Sequence, residues 1–211
     1  NLTQIEAILF GQAGFLQQEH NDIYFLNLKK EYNLLQKLYS LKNIPEHQIN
    51  FLRLRPANFP TIRLAQFAGL LHISTHLFSK VLETDNVKSL AKLFNVSASA
   101  YWNTHYTFGT KSDATSVKKL GSSFVELLII NTIIPTLFIY GKEKGESKYT
   151  NKAMRWLEEL KPEKNTITQE MAQAGFKIDN AKDSQAVLEL KKNYCDSKQC
   201  LRCGIGYAIM N

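Results

Sequence analysis

At 211 residues the chain can bury a sizeable core, and a single helical domain over 1–211 is the first expectation. A composition of 44% hydrophobic and 21% charged residues, with 10 Gly and 5 Pro, excludes wholesale disorder. A net charge of +7, from 26 Lys and Arg against 19 Asp and Glu, favours an anionic partner such as nucleic acid; three cysteines confined to the last 17 residues exclude a secreted disulfide framework and point to a reducing, cytoplasmic setting.

Thr3 and Glu6 have capping-box spacing ahead of Ile5, Ile8 and Leu9, which predicts a short first helix. Asn21 and Asp22 then precede Leu28, Tyr32, Leu35 and Tyr39 at helical spacing, and Pro45 lies beyond the end of this second helix. Around Leu52 to Arg55 apolar and basic residues alternate as in a short strand. Pro56 and Pro60 enclose a turn, and Pro60 starts a long helix. On that helix Leu64, Phe67, Leu71, Phe78 and Leu82 form the predicted core stripe, while His72, His76, Ser79, Lys80 and Glu83 share a polar arc of about 100°. Asp85 is placed to cap a helix burying Val87, Leu90, Ala91 and Phe94. The aromatic run from Ser97 to Gly109 and a loop with a short helix over 110–119 follow.

The stretch 121–141, GSSFVELLIINTIIPTLFIYG, is the element the rest is organised around. Its apolar residues recur on every side at 3.6 residues per turn, which predicts a buried central helix kinked at Pro135. Glu126 and Asn131 then become structural ties inside the core. A membrane span is rejected on length and on the presence of Glu126 and Pro135. The run 141–150 reads as a solvated connection and a lobe boundary, should two lobes exist. Three more helices are predicted, one burying Ala153, Trp156, Leu157 and Leu160, one from Thr166 to Gly175 and one from about Ala181 to Tyr194. The fold class is all-α: an irregular multi-helix domain around a buried central helix, ending in a cysteine-containing turn.

Four groups of residues carry candidate chemistry. Cys195, Cys200 and Cys203 have C-x4-C-x2-C spacing, in which a C-x-x-C pair can reach one ion while Gly204 and Gly206 let the backbone fold close. Zinc or an iron–sulfur cluster is the cofactor implied. Three buried reduced thiols are the alternative, and a plant-type ferredoxin run is excluded because its fourth Cys would lie downstream. His72 and His76 are four apart, but no glutamate follows His72, so a solvated polar face is the better reading. Arg53, Arg55 and Arg63 converge on the proline-bracketed turn at a helix start, a place suited to phosphates or carboxylates and equally to a structural arginine network. Tyr101, Trp102, His105 and Tyr106 form an aromatic cluster that either stacks bases or packs the core. No phosphate loop, dinucleotide fingerprint, nucleophile elbow or paired-carboxylate pattern is present, so no catalytic constellation is assigned.

Taken together, RPANFPTIRLAQFA, SASAYWNTHYTFG, LGSSFVELLIINTIIPTLFIYG, the PEKN turn and DSQAVLELKKNYCDSKQCLRCGIG resemble an uncharacterised protein family, a domain of unknown function found mainly in Bacteroidetes. Longer members have an N-terminal part similar to a nuclease-type αβ domain. The resemblance implies that this chain, which starts at Asn1, is the helical C-terminal portion of a longer protein whose catalytic carboxylates lie elsewhere. A nucleic-acid-binding accessory domain of a nuclease-like protein is the first functional expectation, with nucleic acid and the N-terminal domain of the same protein as partners. A structural or protein-interaction domain without catalytic activity is the second. A DNA-glycosylase-like protein is a third, although the Gly-rich hairpin and a fourth Cys are missing.

Overall fold

A computed structural model of the chain describes residues 1–45 and 48–210. The chain divides into two compact units, one of Asn1–Lys80 and Lys92–Gly121 and the other of Val81–Ala91 and Ser122–Asn211. Both are built of helices, as the all-α reading requires.

In the first unit, α1 (Leu2–Gln12), α2 (Ile23–Tyr39) and α3 (Pro60–Ile73) enclose a core of Phe10, Phe15, Leu16, Phe25, Leu28, Tyr32, Ile62 and Trp102. Gly11 explains how closely α1 meets α2, because a Cβ there would overlap the Tyr32 ring. The N-cap of α1 is Asn1, whose side chain accepts from Gln4 N. Thr3 is therefore not the cap, and Glu6 turns inward, only 2% exposed, instead of closing a capping box. Helix α2 starts at Asp22, which accepts from Phe25 N, and buries Leu28 and Tyr32 as predicted, but Tyr39 is exposed. Residues 52–53 form a turn and 54–55 are irregular, with no strand.

The long helix predicted after Pro60 is two helices. α3 stops at Ile73, and α4 (Leu77–Glu83) begins after His76, whose φ of 56° is left-handed. The buried side of α3 is also rotated from the expected stripe: Ile62, Ala65, Ala68 and Leu70 are buried, whereas Phe67 and Leu71 are exposed. The cause is the small face. Gly69 lies against the Ser97 carbonyl, so the helix docks through its least bulky residues. The aromatic run is a short 3-10 turn over Ala100–Asn103 followed by the hairpin β1 (His105–Thr107) and β2 (Thr110–Lys111), and no helix follows it before residue 121. Two backbone bonds, Ala98 N to Lys118 O and Leu120 N to Val96 O, close this loop.

In the second unit, α6 (Ser122–Leu128), a π turn (Ile129–Ile133) and α7 (Ile134–Lys144) make one continuous rod. The π turn sits just before Pro135, where the missing donor and the ring disturb the regular ladder. Burial is one-sided, and this corrects the expectation of a helix with no wet face. Val125, Ile129, Ile130, Ile134 and Leu137 are buried, while Glu126, Asn131, Thr132, Thr136 and Ile139 are exposed. Asn131 Nδ2 donates to Leu127 O one turn back (3.1 Å), and Thr136 Oγ1 donates to Thr132 O (2.7 Å), so these polar groups are satisfied locally on the surface. The length argument against a membrane span also fails: the rod has 23 residues, long and apolar enough to cross a membrane, and its most apolar 18 residues have a mean hydropathy of 1.8 with 28% of them buried. Its exposed polar residues are ones that hydrocarbon would penalise.

The segment 141–150, read as a connection, is mostly helical. α7 ends at Gly145 with a left-handed C-cap (φ 67°), and α8 (Ser147–Glu159) turns straight back against it. α8 buries Ala153 and Trp156, and Lys152 Nζ donates to Leu82 O (2.7 Å) and Thr84 O (2.8 Å) at the end of α4. These are carbonyls that a helix end leaves without partners. α9 (Thr166–Gln173) and α10 (Ala181–Leu190) start where predicted, capped by Asn165 and Asn180, whereas α5 (Val87–Leu93) is capped by Asn86 instead of Asp85, with Leu90 and Phe94 buried and Val87 and Ala91 half-buried. A π turn (Lys191–Cys195), a 3-10 turn (Cys200–Arg202) and α11 (Gly204–Met210) end the described chain.

Candidate functional site

The proline-bracketed turn is fixed by aromatic packing. Phe51 meets Phe59 edge to face (5.2 Å between centroids) and also meets Phe15 of the core (5.6 Å), so residues 52–58 are held as an outward loop. Arg53 occupies the left-handed region (φ 62°), uncommon for a side chain this size. Arg53 and Arg55 are both exposed, and neither makes an ion pair among the described residues. Arg63 differs. Its Nη2 donates to Asn58 Oδ1 (2.6 Å) and its Nη1 to Gln66 Oε1 (3.0 Å), while Gln66 Nε2 donates to Lys118 O and Lys119 O. Partial burial lowers the Arg63 guanidinium from its ordinary pKa. Two of the three arginines point to solvent, and the third braces the turn to the loop before residue 121.

The aromatic cluster offers no free platform. Trp102 is fully buried, stacked on Phe10 (5.3 Å) and touching Phe108, with Nε1 donating to Tyr24 OH (3.1 Å). Tyr101 is sandwiched between Tyr24 (4.1 Å) and the buried His105 (4.0 Å), so both its faces are taken. Its hydroxyl donates to Asp22 Oδ2 and accepts from Gly109 N, and burial pushes its pKa up to about 12. Tyr106 carries the Lys118 ammonium 3.9 Å from its ring centroid. The base-stacking reading of Tyr101, Trp102, His105 and Tyr106 is thereby replaced by core packing.

Cys195 and Cys200 are exposed and Cys203 is half-buried, all as free thiols. They line one apolar cavity of about 210 Å³ with Met171, Phe176 and Ile209. Among the described residues no three His, Cys, Asp or Glu side chains come together to hold an ion, so the sulfurs do not surround a common point. Cys195 ends the π turn, whereas Cys200 opens the 3-10 turn that Cys203 caps, its N–H donating to the Cys200 carbonyl (3.2 Å), and Gly206 lets α11 press on that same carbonyl. His72 and His76, both exposed, no longer share a helix.

Two polar centres escaped the sequence reading. Glu6 lies in the first-unit core, where burial raises its pKa more than Ser99, Tyr24 and the charge of His72 lower it, and its Oε1 has no hydrogen-bond partner among the described residues. The Glu163 carboxylate accepts from three amides, Asn165 (3.0 Å), Gln185 (3.2 Å) and Asn131 (3.4 Å), and so knots the PEKN turn to two helices. No local pattern announces either, since both depend on partners far along the chain.

Charge is divided unequally. The first unit carries 12 Lys and Arg against 6 Asp and Glu, and the second 14 against 13. Nearly all of the net charge of +7 thus belongs to the unit that presents Arg53 and Arg55.

No curated protein and no solved structure matches the chain. A family model does match, over residues 1–166, which takes in the whole first unit and leaves the three cysteines outside. On that match the chain belongs to the family described as protein of unknown function DUF2851.

Proposed function

We propose that the first unit binds nucleic acid through its charge, with Arg53 and Arg55 on the phosphate backbone and little sequence preference. The observation that carries this reading is the segregation of net charge into that unit, six positive charges in excess there against one in the other. Phosphate contacts of this kind position a protein without reading bases. With Trp102 and Tyr101 packed inside, stacking contributes nothing, and the binding is electrostatic. The resemblance to longer Bacteroidetes proteins supports an accessory role beside a nuclease-like part, and the three free cysteines support a cytoplasmic setting.

The test is a salt titration with short duplex and single-stranded DNA, followed by fluorescence anisotropy. Each phosphate neutralised on duplex adds about 0.9 to the slope of log K against log salt, so Arg53 and Arg55 alone give a slope of about −1.8. Binding that persists unchanged at high salt, or no binding at low salt, overturns the proposal.

A further inference from the structure

Helix α2 is apolar on two sides. Phe25, Leu28 and Tyr32 face the core, and on the opposite side Ile23, Leu26, Leu34 and Leu38 are 78%, 50%, 60% and 71% exposed. At 3.6 residues per turn these four share an arc of about 120°. Leucines exposed singly need no explanation, but four large aliphatics on one side of one helix, in two pairs with the exposed Asn27 and Lys30 between them, do. Lys30 and Lys37, both exposed, fall within the same arc between Leu26 and Ile23, and neither makes a hydrogen bond or ion pair among the described residues. The arc holds no acidic residue. Glu31 lies off it and accepts from Gln4 Nε2.

We propose that this face of α2 docks an acidic amphipathic helix of another protein, leucine-like side chains meeting the four aliphatics and carboxylates meeting Lys30 and Lys37. The position of the lysines decides among occupants. A second copy packed antiparallel would set Ile23 against Leu38 and Leu26 against Leu34, which brings Lys30 of both copies together; packed parallel, it would juxtapose both lysine pairs. Like charges in a helical seam disfavour either arrangement. A bilayer surface fares no better, since helices that lie in it keep their lysines on a polar face, whereas these stand inside the apolar arc. A partner helix with Glu or Asp in the seam satisfies both features, in the manner of helix recognition by i, i+3, i+4, i+7 anchors.

The experiment uses the chain as it is and two fluorescein-labelled synthetic helices of three heptads, with Leu at both seam positions and either Glu or Lys flanking them. The Glu peptide is expected to bind saturably, one per chain, and the Lys peptide about tenfold or more weakly. Lys30→Glu with Lys37→Glu should invert that preference, and Leu34→Asn with Leu38→Asn should abolish binding of both peptides, each pair leaving the thermal midpoint unchanged. Arg53→Ala with Arg55→Ala should leave peptide affinity unaltered, so that this result is independent of DNA binding. Equal affinity for the two peptides, or a loss in the arginine variant as large as in the lysine variant, overturns the proposal. So does a dimer of the chain, or capture by vesicles of 30% anionic lipid, that Leu34→Asn abolishes.

Discussion

The three arginines near the proline-bracketed turn should separate into two kinds on mutation. Arg63→Ala removes donors to Asn58 Oδ1 and Gln66 Oε1, and Gln66 is 2% exposed, so its oxygen is left buried without that partner. A stranded buried acceptor costs about 1 to 3 kcal/mol. Arg53 and Arg55 make no ion pair among the described residues, and replacing both with alanine should change stability by no more than about 0.5 kcal/mol. The salt dependence of DNA binding should respond in the opposite sense: the double replacement lowers the slope by about 1.8, while Arg63→Ala leaves it nearly intact. Urea midpoints and salt titrations on the same three proteins measure both. If Arg63→Ala lowers the slope by about 0.9 and keeps the wild-type midpoint, Arg63 contacts phosphate and the brace assigned to it is wrong.

Gly11→Ala sets helix propensity against packing: alanine gains about 1 kcal/mol in a helix interior, but overlap with the buried Tyr32 ring costs about 1 to 3 kcal/mol, so net destabilisation is expected in urea. A stabilised variant would mean that α1 and α2 do not meet at that point. Glu6 has a folded-state pKa raised by burial, so the stability its proton contributes is fully present below the unfolded carboxyl value and is lost as pH rises through the folded one. Glu6→Gln should therefore exceed wild type in urea midpoint at about pH 8, with the difference closing toward about pH 4; a difference independent of pH would count against the buried charge. Asn131→Leu should shift stability by no more than about 0.5 kcal/mol, because Asn131 is exposed and its long bond to Glu163 (3.4 Å) lies at the surface, and a loss above about 1 kcal/mol would make Asn131 a structural tie.

The helices that could be read from sequence are those whose cap and periodicity agree. α2 with Asp22, α9 with Asn165 and α10 with Asn180 lie within a few residues of where the spacing puts them. The failures have separate causes. Thr3 and Glu6 match a capping box, yet Asn1 takes the cap and the burial of Glu6 wins over its local use. In α3 the bulkiest stripe is not the buried one, because Ala65, Ala68 and Gly69 permit a closer approach than Phe67 and Leu71. The apolar run 121–141 is helical from Ser122 as expected and its helix continues to Lys144, but apolarity alone does not say which side is covered. Its polar side chains bond back to their own helix, and no spacing rule shows that.

The candidate site was legible as a list of residue types and illegible as an arrangement. Arg53, Arg55 and Arg63 look alike in sequence, and only Gln66, held by carbonyls more than fifty residues on, makes one of them structural. The net charge was visible, whereas its segregation was not, because the basic unit is assembled from two separate stretches of chain. Helix α2 illustrates the same point in the other direction. Its periodicity supports two apolar stripes, Leu28 with Tyr32 and Ile23 with Leu34, and a sequence reading that seeks one core face stops at the first. The second stripe is informative because the first already satisfies the core. A face of large aliphatics left outside a completed core, with two lysines in it that make no ion pair among the described residues, has no role in holding this unit together and is therefore the place to look for its partner.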